Sequence, residues 1–164
     1  MTQTESVPSL LTSTTLLAHW QGHRRLTRRV IETFPEEKLF AFQPAPPMRP
    51  FGALALELIY MVGPTLEGLA TDTWTNPDWE EIARAQTTKA DVLALWDEDT
   101  EQLGSRWPAL PETTFHRVHK AFGQWAMPGY ALILYLIDNE IHHRGQGYVY
   151  LRGLGLEPPA FYER

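Results

Sequence analysis

The 164-residue chain contains no cysteine. Disulfides, thiolate zinc sites, iron–sulfur clusters and cysteine nucleophiles are therefore excluded, and a reducing compartment is the natural fit. Long apolar runs are also missing. The longest, residues 130–137, is far short of the roughly 20 residues that cross a bilayer. Residues 1–9 are polar and lack the basic-then-apolar order of a signal peptide. The expectation is a cytoplasmic protein without a membrane segment. Basic residues are scarce: 14 Lys and Arg against 20 Asp and Glu leave a net charge of −6. That balance argues against general binding of nucleic acid or anionic membranes. No Gly-rich phosphate loop, nucleophile elbow, dinucleotide fingerprint, internal repeat or low-complexity tract is present.

What is present is ordinary globular material. Hydrophobic residues make up 43% and charged residues 21%, which excludes a disordered chain. At about 150 residues per domain, residues 1–164 read as one domain. Six tryptophans point to a well-filled core or pocket.

Helical periodicity dominates. Capping residues cluster at positions 9–15, and Leu16, Trp20, His23, Leu26, Val30 and Phe34 follow on one helix face until Pro35. A proline-rich connector, residues 44–50, leads to a second helix that is apolar almost all round from Phe51 to Val62. Gly63-Pro64 is expected to stop or kink it, with a loop at positions 71–77. A third helix begins at a capping box of Thr88 and Asp91 and carries Val92, Leu95, Trp96, Asp99 and Leu103. Gly104 and Pro108 are expected to close it. Residues 111–127 read as an extended or partly helical crossing, without a convincing strand pair. A fourth helix spans about residues 128–151, ended by Gly153 and Gly155, and the aromatic tail is expected to pack on the bundle. The sum is an all-α, four-helix bundle.

Glu57 is the first residue that asks for a function. It stands in Ala53-Leu-Ala-Leu-Glu57-Leu-Ile-Tyr-Met-Val62, where an isolated carboxylate costs several kcal/mol or takes up a proton. It needs a metal, a cation or a donor network. The second place is Asp138-Asn-Glu-Ile-His-His-Arg-Gly-Gln146. Asn139 and His143 are four apart and share a helix face, whereas His142 points about 100° away. That pair reads either as two ligands of one metal or as a structural contact. His19 and His23 have the same spacing but no carboxylate nearby, and read as a partly buried aromatic pair. Arg24, Arg25, Arg28 and Arg29 form a basic stripe, and residues 97–101 an acidic run. Each reads as a solvated face, the stripe alternatively as a dimer-interface patch.

Three stretches together resemble the DinB/YfiT family of small bacterial helical proteins: Ala18-His-Trp-Gln-Gly-His-Arg-Arg-Leu26 with Phe34-Pro-Glu-Glu37; Met48-Arg-Pro-Phe-Gly-Ala-Leu-Ala-Leu-Glu57; and Asp138 to Gln146 leading into Tyr150-Leu-Arg-Gly-Leu-Gly155. The resemblance implies a four-helix bundle of up-down-down-up order, often a homodimer, and a divalent metal held by three histidines. It places those three positions on Glu57, Asn139 and His143, so only His143 keeps the imidazole. Such an oxygen-rich set shifts preference from zinc or nickel towards manganese, iron or magnesium. The resemblance implies a metal-dependent hydrolase, or a transferase using a low-molecular-weight thiol, acting on a small molecule. The alternative is a non-catalytic, stress-associated binding or structural dimer protein, in which Glu57 hydrogen-bonds Asn139 or His143 and no metal binds.

Overall fold

The computed structural model describes residues 11–85 and 87–164. The polar stretch 1–9 and the capping signal at Ser9 lie outside the described residues. Helix α1 runs from Ser13 to Thr33 behind a capping box of Thr12 and Thr15, and buries Leu16, Trp20, His23, Leu26 and Val30. The short α2 (Glu36–Leu39) follows Pro35. Helices α3 (Phe51–Tyr60) and α4 (Val62–Thr71) follow the connector, and α5 (Trp79–Arg84) precedes α6 (Lys89–Arg106), which starts at the expected Thr88–Asp91 box. A 3-10 turn (Trp107–Ala109) and α7 (Glu112–His116) lead to strands β1 (Val118–Ala121) and β2 (Trp125–Pro128). Helix α8 (Gly129–Gly153) completes the bundle.

The long helices form a ring: α1 packs on α6 and α8, and α3 packs on the same two. Two apolar clusters stack along the bundle. One joins Val30 and Phe34 to Phe51, Trp96 and Tyr150. The other joins Leu16 and Trp20 to Val62, Leu103 and Ile133. Helices α1 and α8 therefore run from the second cluster to the first, while α3–α4 and α6 run the opposite way.

Between the clusters lies a polar layer that corrects two sequence expectations. Arg24, from the stripe read as solvated, is only 1% exposed. Its guanidinium lies 3.6 Å over the Trp96 ring and meets Asp99, from the acidic run, at 2.7 Å. Each run thus gives one member to a buried pair, while Arg28 and Asp97 pair in partial exposure at 2.6 Å. Glu140 is buried beside them and accepts from Trp20 Nε1 at 3.1 Å and Thr27 Oγ1 at 2.6 Å. Arg144 reaches Thr27 Oγ1 at 3.0 Å and His23 Nδ1 at 2.9 Å. Burial pushes the Glu140 carboxyl up, against the pull of Arg24, Thr27, Arg144 and Trp20.

Other boundaries also moved. The expected interruption at Gly63-Pro64 falls at Met61, which joins α3 to α4 in helical conformation, and Pro64 lies in the first turn of α4, where a missing N–H leaves no partner unmet. The joined segment Phe51–Thr71, 21 residues whose most apolar 18-residue stretch has a mean hydropathy of 1.3, is long and apolar enough by composition to cross a membrane, which corrects the expectation that no stretch is. More than half of it is buried inside the bundle. Helix α6 runs through Gly104 to Arg106. The crossing at 111–127 contains an antiparallel hairpin in the register Val118↔Pro128 to Ala121↔Trp125. Its turn places Phe122 and Gly123 at φ 53° and 71°, and the bulky Phe122 hides the turn from a sequence reading. Trp20, Trp96 and Trp107 fill the core, but Trp79 and Trp125 are about half exposed, and both tail aromatics, Phe161 and Tyr162, are 66% and 71% exposed rather than packed on the bundle as expected.

Gly147 is needed at the α3–α8 crossing. A Cβ there would lie 2.5 Å from the ring of Phe51, which is fully buried and stacked on Phe34. Gly145, two residues earlier, has open space around it. We predict that Gly147→Ala lowers stability to urea by about 1–3 kcal/mol, whereas Gly145→Ala raises it by up to about 1 kcal/mol.

Candidate functional site

Helix α3 presents Ala53 and Glu57 to a cavity of about 740 Å³, and Met61 at its C-cap continues the steps of four. The spacing puts them on one face. Leu56 of α3, Phe40, Trp79 and Ile82 supply much of the remaining wall. Phe40 lies flat against the helix because residue 52 is glycine, where a Cβ would meet the ring at 2.5 Å. Glu57 is the only acidic and Arg49 the only basic side chain among the described lining residues.

The structure brings the three sequence-marked residues together. Asn139 Nδ2 donates to Glu57 Oε1 at 3.2 Å. His143 Nε2 lies 3.1 Å from the same oxygen. Because an ionised carboxylate only accepts, Nε2 carries the proton in this contact. The other carboxylate oxygen, Oε2, pairs with the Arg49 guanidinium at 2.6 Å. His143 Nδ1 meets the Gln146 amide at 3.3 Å, and that amide reaches His142 on the exposed face at 3.3 Å. Burial pushes the Glu57 carboxyl up, but hydrogen bonds from His143, Asn139 and Arg49, with the Arg49 charge, win and bring it from 4.5 down to about 2.

Arg49 and Gln146 were not singled out from the sequence. Gln146 sits three residues after His143, a spacing that marks one helix face. Arg49 lies on the connector, eight positions before Glu57, and no periodic rule links a connector residue to a helix face. His19 and His23 are not part of this cluster; His23 meets Arg144 in the buried polar layer instead. The two imidazole rings meet edge-on with Nε2 atoms 3.1 Å apart. His119 forms a separate contact: Nδ1 is 3.0 Å from Asp72 and Nε2 is 2.9 Å from the Thr114 carbonyl. Thr114 beside it is buried, and its hydroxyl donates to the Leu69 carbonyl. That arrangement ties the hairpin to the end of α4 and leaves no free nucleophile.

The donor set decides what the cluster can hold. It offers one imidazole, one carboxylate and one amide, where the resemblance implies three imidazoles. No group of three or more His, Cys, Asp or Glu is suitably placed for a metal among the described residues. Asn139 presents its NH2, not its oxygen, to Glu57, and the guanidinium already supplies the carboxylate with a full positive charge. In this arrangement the residues do not fit a histidine-type transition-metal centre. Chemically the cluster is a neutralised carboxylate with two further donors, set in the wall of an apolar cavity.

The lowered Glu57 pKa has a defined pH signature. A depressed carboxyl adds stability above its unfolded value and loses it as the pH falls towards the folded value. Wild type is therefore expected to be more stable than Glu57→Gln at pH 7, and the gap in thermal midpoint is expected to close between pH 4.5 and about 2. A gap independent of pH in that window would contradict the assignment of Glu57 as a compensated carboxylate.

Solved structures with this fold include the DinB-like protein YjoA of Bacillus subtilis, 22% identical over 92% of this chain and 98% of that one, with a TM-score of 0.72. A DinB-like protein of Bacillus cereus is 19% identical over 91% of this chain and 97% of its own, with a TM-score of 0.74. YfiT of Bacillus subtilis, described as a probable metal-dependent hydrolase with an unusual four-helix bundle topology, is 14% identical over 96% and 95%, with a TM-score of 0.71. These likenesses show a shared four-helix bundle fold. No match is found among curated proteins. The model of the DinB family matches residues 1–164, and the chain belongs to that family.

Proposed function

We propose that this chain is a small-molecule-binding member of its family, with the cavity beside α3 as the ligand site and the Glu57 cluster as its polar wall. The observation that carries this reading is the Arg49–Glu57 ion pair, 2.6 Å long and placed in that wall. A carboxylate among apolar side chains needs one compensating positive charge, and here a side chain provides it. Asn139 and His143 then serve as donors that hold the carboxylate in place. The cavity volume falls in the range of small-molecule sites, apolar with a few placed polar groups.

A second reading is supported by the convergence of Asn139 and His143 on one oxygen of Glu57 and by the description of YfiT. On it, Glu57, Asn139 and His143 hold one divalent ion, manganese, iron, nickel or zinc, in a hydrolase or a thiol-dependent transferase. That requires the Asn139 amide to turn and Arg49 to leave.

Elemental analysis separates the two. Protein purified without a His-tag or chelator, and then loaded with each of the four metals, is compared with His143→Ala. The expected result is well under one metal per chain in both proteins. About one equivalent in the wild type, lost in His143→Ala, would overturn the proposal in favour of the metal centre.

A further inference from the structure

Resting on the reading of the cavity as the ligand site, we infer its ligand class: an amphiphilic monocarboxylate, whose apolar body fills the cavity and whose carboxylate takes the Arg49 guanidinium. The body follows from the wall. Phe40, Leu56, Met61, Trp79 and Ile82 offer aromatic and aliphatic surface, and Arg49 and Glu57 are the only charged side chains among the described lining residues.

The head group follows from which of those two charges has capacity left. Glu57 Oε1 already faces Asn139 and His143, and Oε2 faces Arg49. A ligand ammonium would have to approach oxygens that already accept from three donors, with a guanidinium 2.6 Å away repelling it. Arg49 is different. Its side chain is 52% exposed, and Glu57 is the guanidinium's ion-pair partner among the described residues. A guanidinium carries five N–H donors in a planar fork that matches a carboxylate bidentately. It also sits on the connector just before Pro50, ahead of the rigid helix that holds Glu57. One edge of the guanidinium fork keeps Glu57 Oε2 while its remaining N–H groups meet the ligand, so Glu57 is not left without its cation. A single negative charge is favoured over a doubly charged phosphate monoester, because Glu57 remains ionised alongside.

The test is calorimetric titration of the full chain with decanoate, decanol and decyltrimethylammonium, which share a tail and differ in head group. Decanoate is expected to bind more than about tenfold tighter than decanol, the scale of a charge-assisted bidentate contact. Arg49→Met should remove that advantage, bringing decanoate to an affinity no tighter than that of decanol in the same variant. Glu57→Gln, which frees Arg49 from its partner, should tighten decanoate. Melting curves confirm that each variant is folded. Tighter binding of the ammonium, or a decanoate preference that survives Arg49→Met, overturns the head-group inference. Decanol binding that is lost on blocking the cavity with Ala53→Trp, without any carboxylate preference, overturns the ligand class but keeps the cavity reading. No binding by any of the three, or binding indifferent to Ala53→Trp, overturns the cavity reading itself.

Discussion

A carboxylate on an otherwise apolar helix face is an obligation that the rest of the molecule has to meet. Glu57 is set between Ala53 and Met61 on the cavity face of α3, and burial raises the energy of its charge. Three groups from two other segments answer it: Arg49 from the connector, and Asn139 and His143 from α8. Each contact fixes something larger than itself. The α8 pair sets the depth at which α3 and α8 meet, a crossing also held by Phe51 against Gly147. The Arg49 contact draws the end of the connector onto the cavity rim. The polar wall of the cavity is thus a by-product of neutralising one partly buried charge.

The same rule governs the middle of the bundle, with different partners. Arg24, Asp99, Glu140 and Arg144 lie between the two apolar clusters, on α1, α6 and α8. Their formal charges balance within the layer, and hydroxyl, indole and imidazole groups take up several of the remaining donors and acceptors, although one buried nitrogen of the Arg24 guanidinium has no hydrogen-bond partner. Replacing such a set by apolar residues is often neutral for stability, whereas removing one member strands the other. The layer therefore specifies which faces of α1, α6 and α8 meet. Helix α3 takes no part in it, which leaves Glu57 to be satisfied separately and at a place open to a ligand.

Much of the bundle was legible in advance because it rests on local periodicity. The face from Leu16 to Phe34, the Thr88–Asp91 cap and the buried second helix follow from spacing that any helix of this sequence would have. Glu57 was legible as an anomaly, and Asn139 with His143 as one face. Arg49 was not, because a connector residue has no periodicity to read. The hairpin was missed because each strand is four residues long and its turn runs through Phe122 in the left-handed region.

The fate of the charged runs marks the boundary between the two kinds of information. Composition and spacing by themselves determined four long helices, the side-chain caps of two of them, and the presence of one carboxylate that required compensation. They could not tell Arg24 from Arg25, or Asp99 from its neighbours, since a run of like charges looks solvated until a partner 75 residues away is brought to 2.7 Å. Tertiary structure alone decided that pairing, and it alone decided that Glu57 is met by a guanidinium at the edge of a cavity. The physical reason is that helix formation is decided within a few turns, whereas the cost of a buried charge depends on which distant side chain the fold places against it.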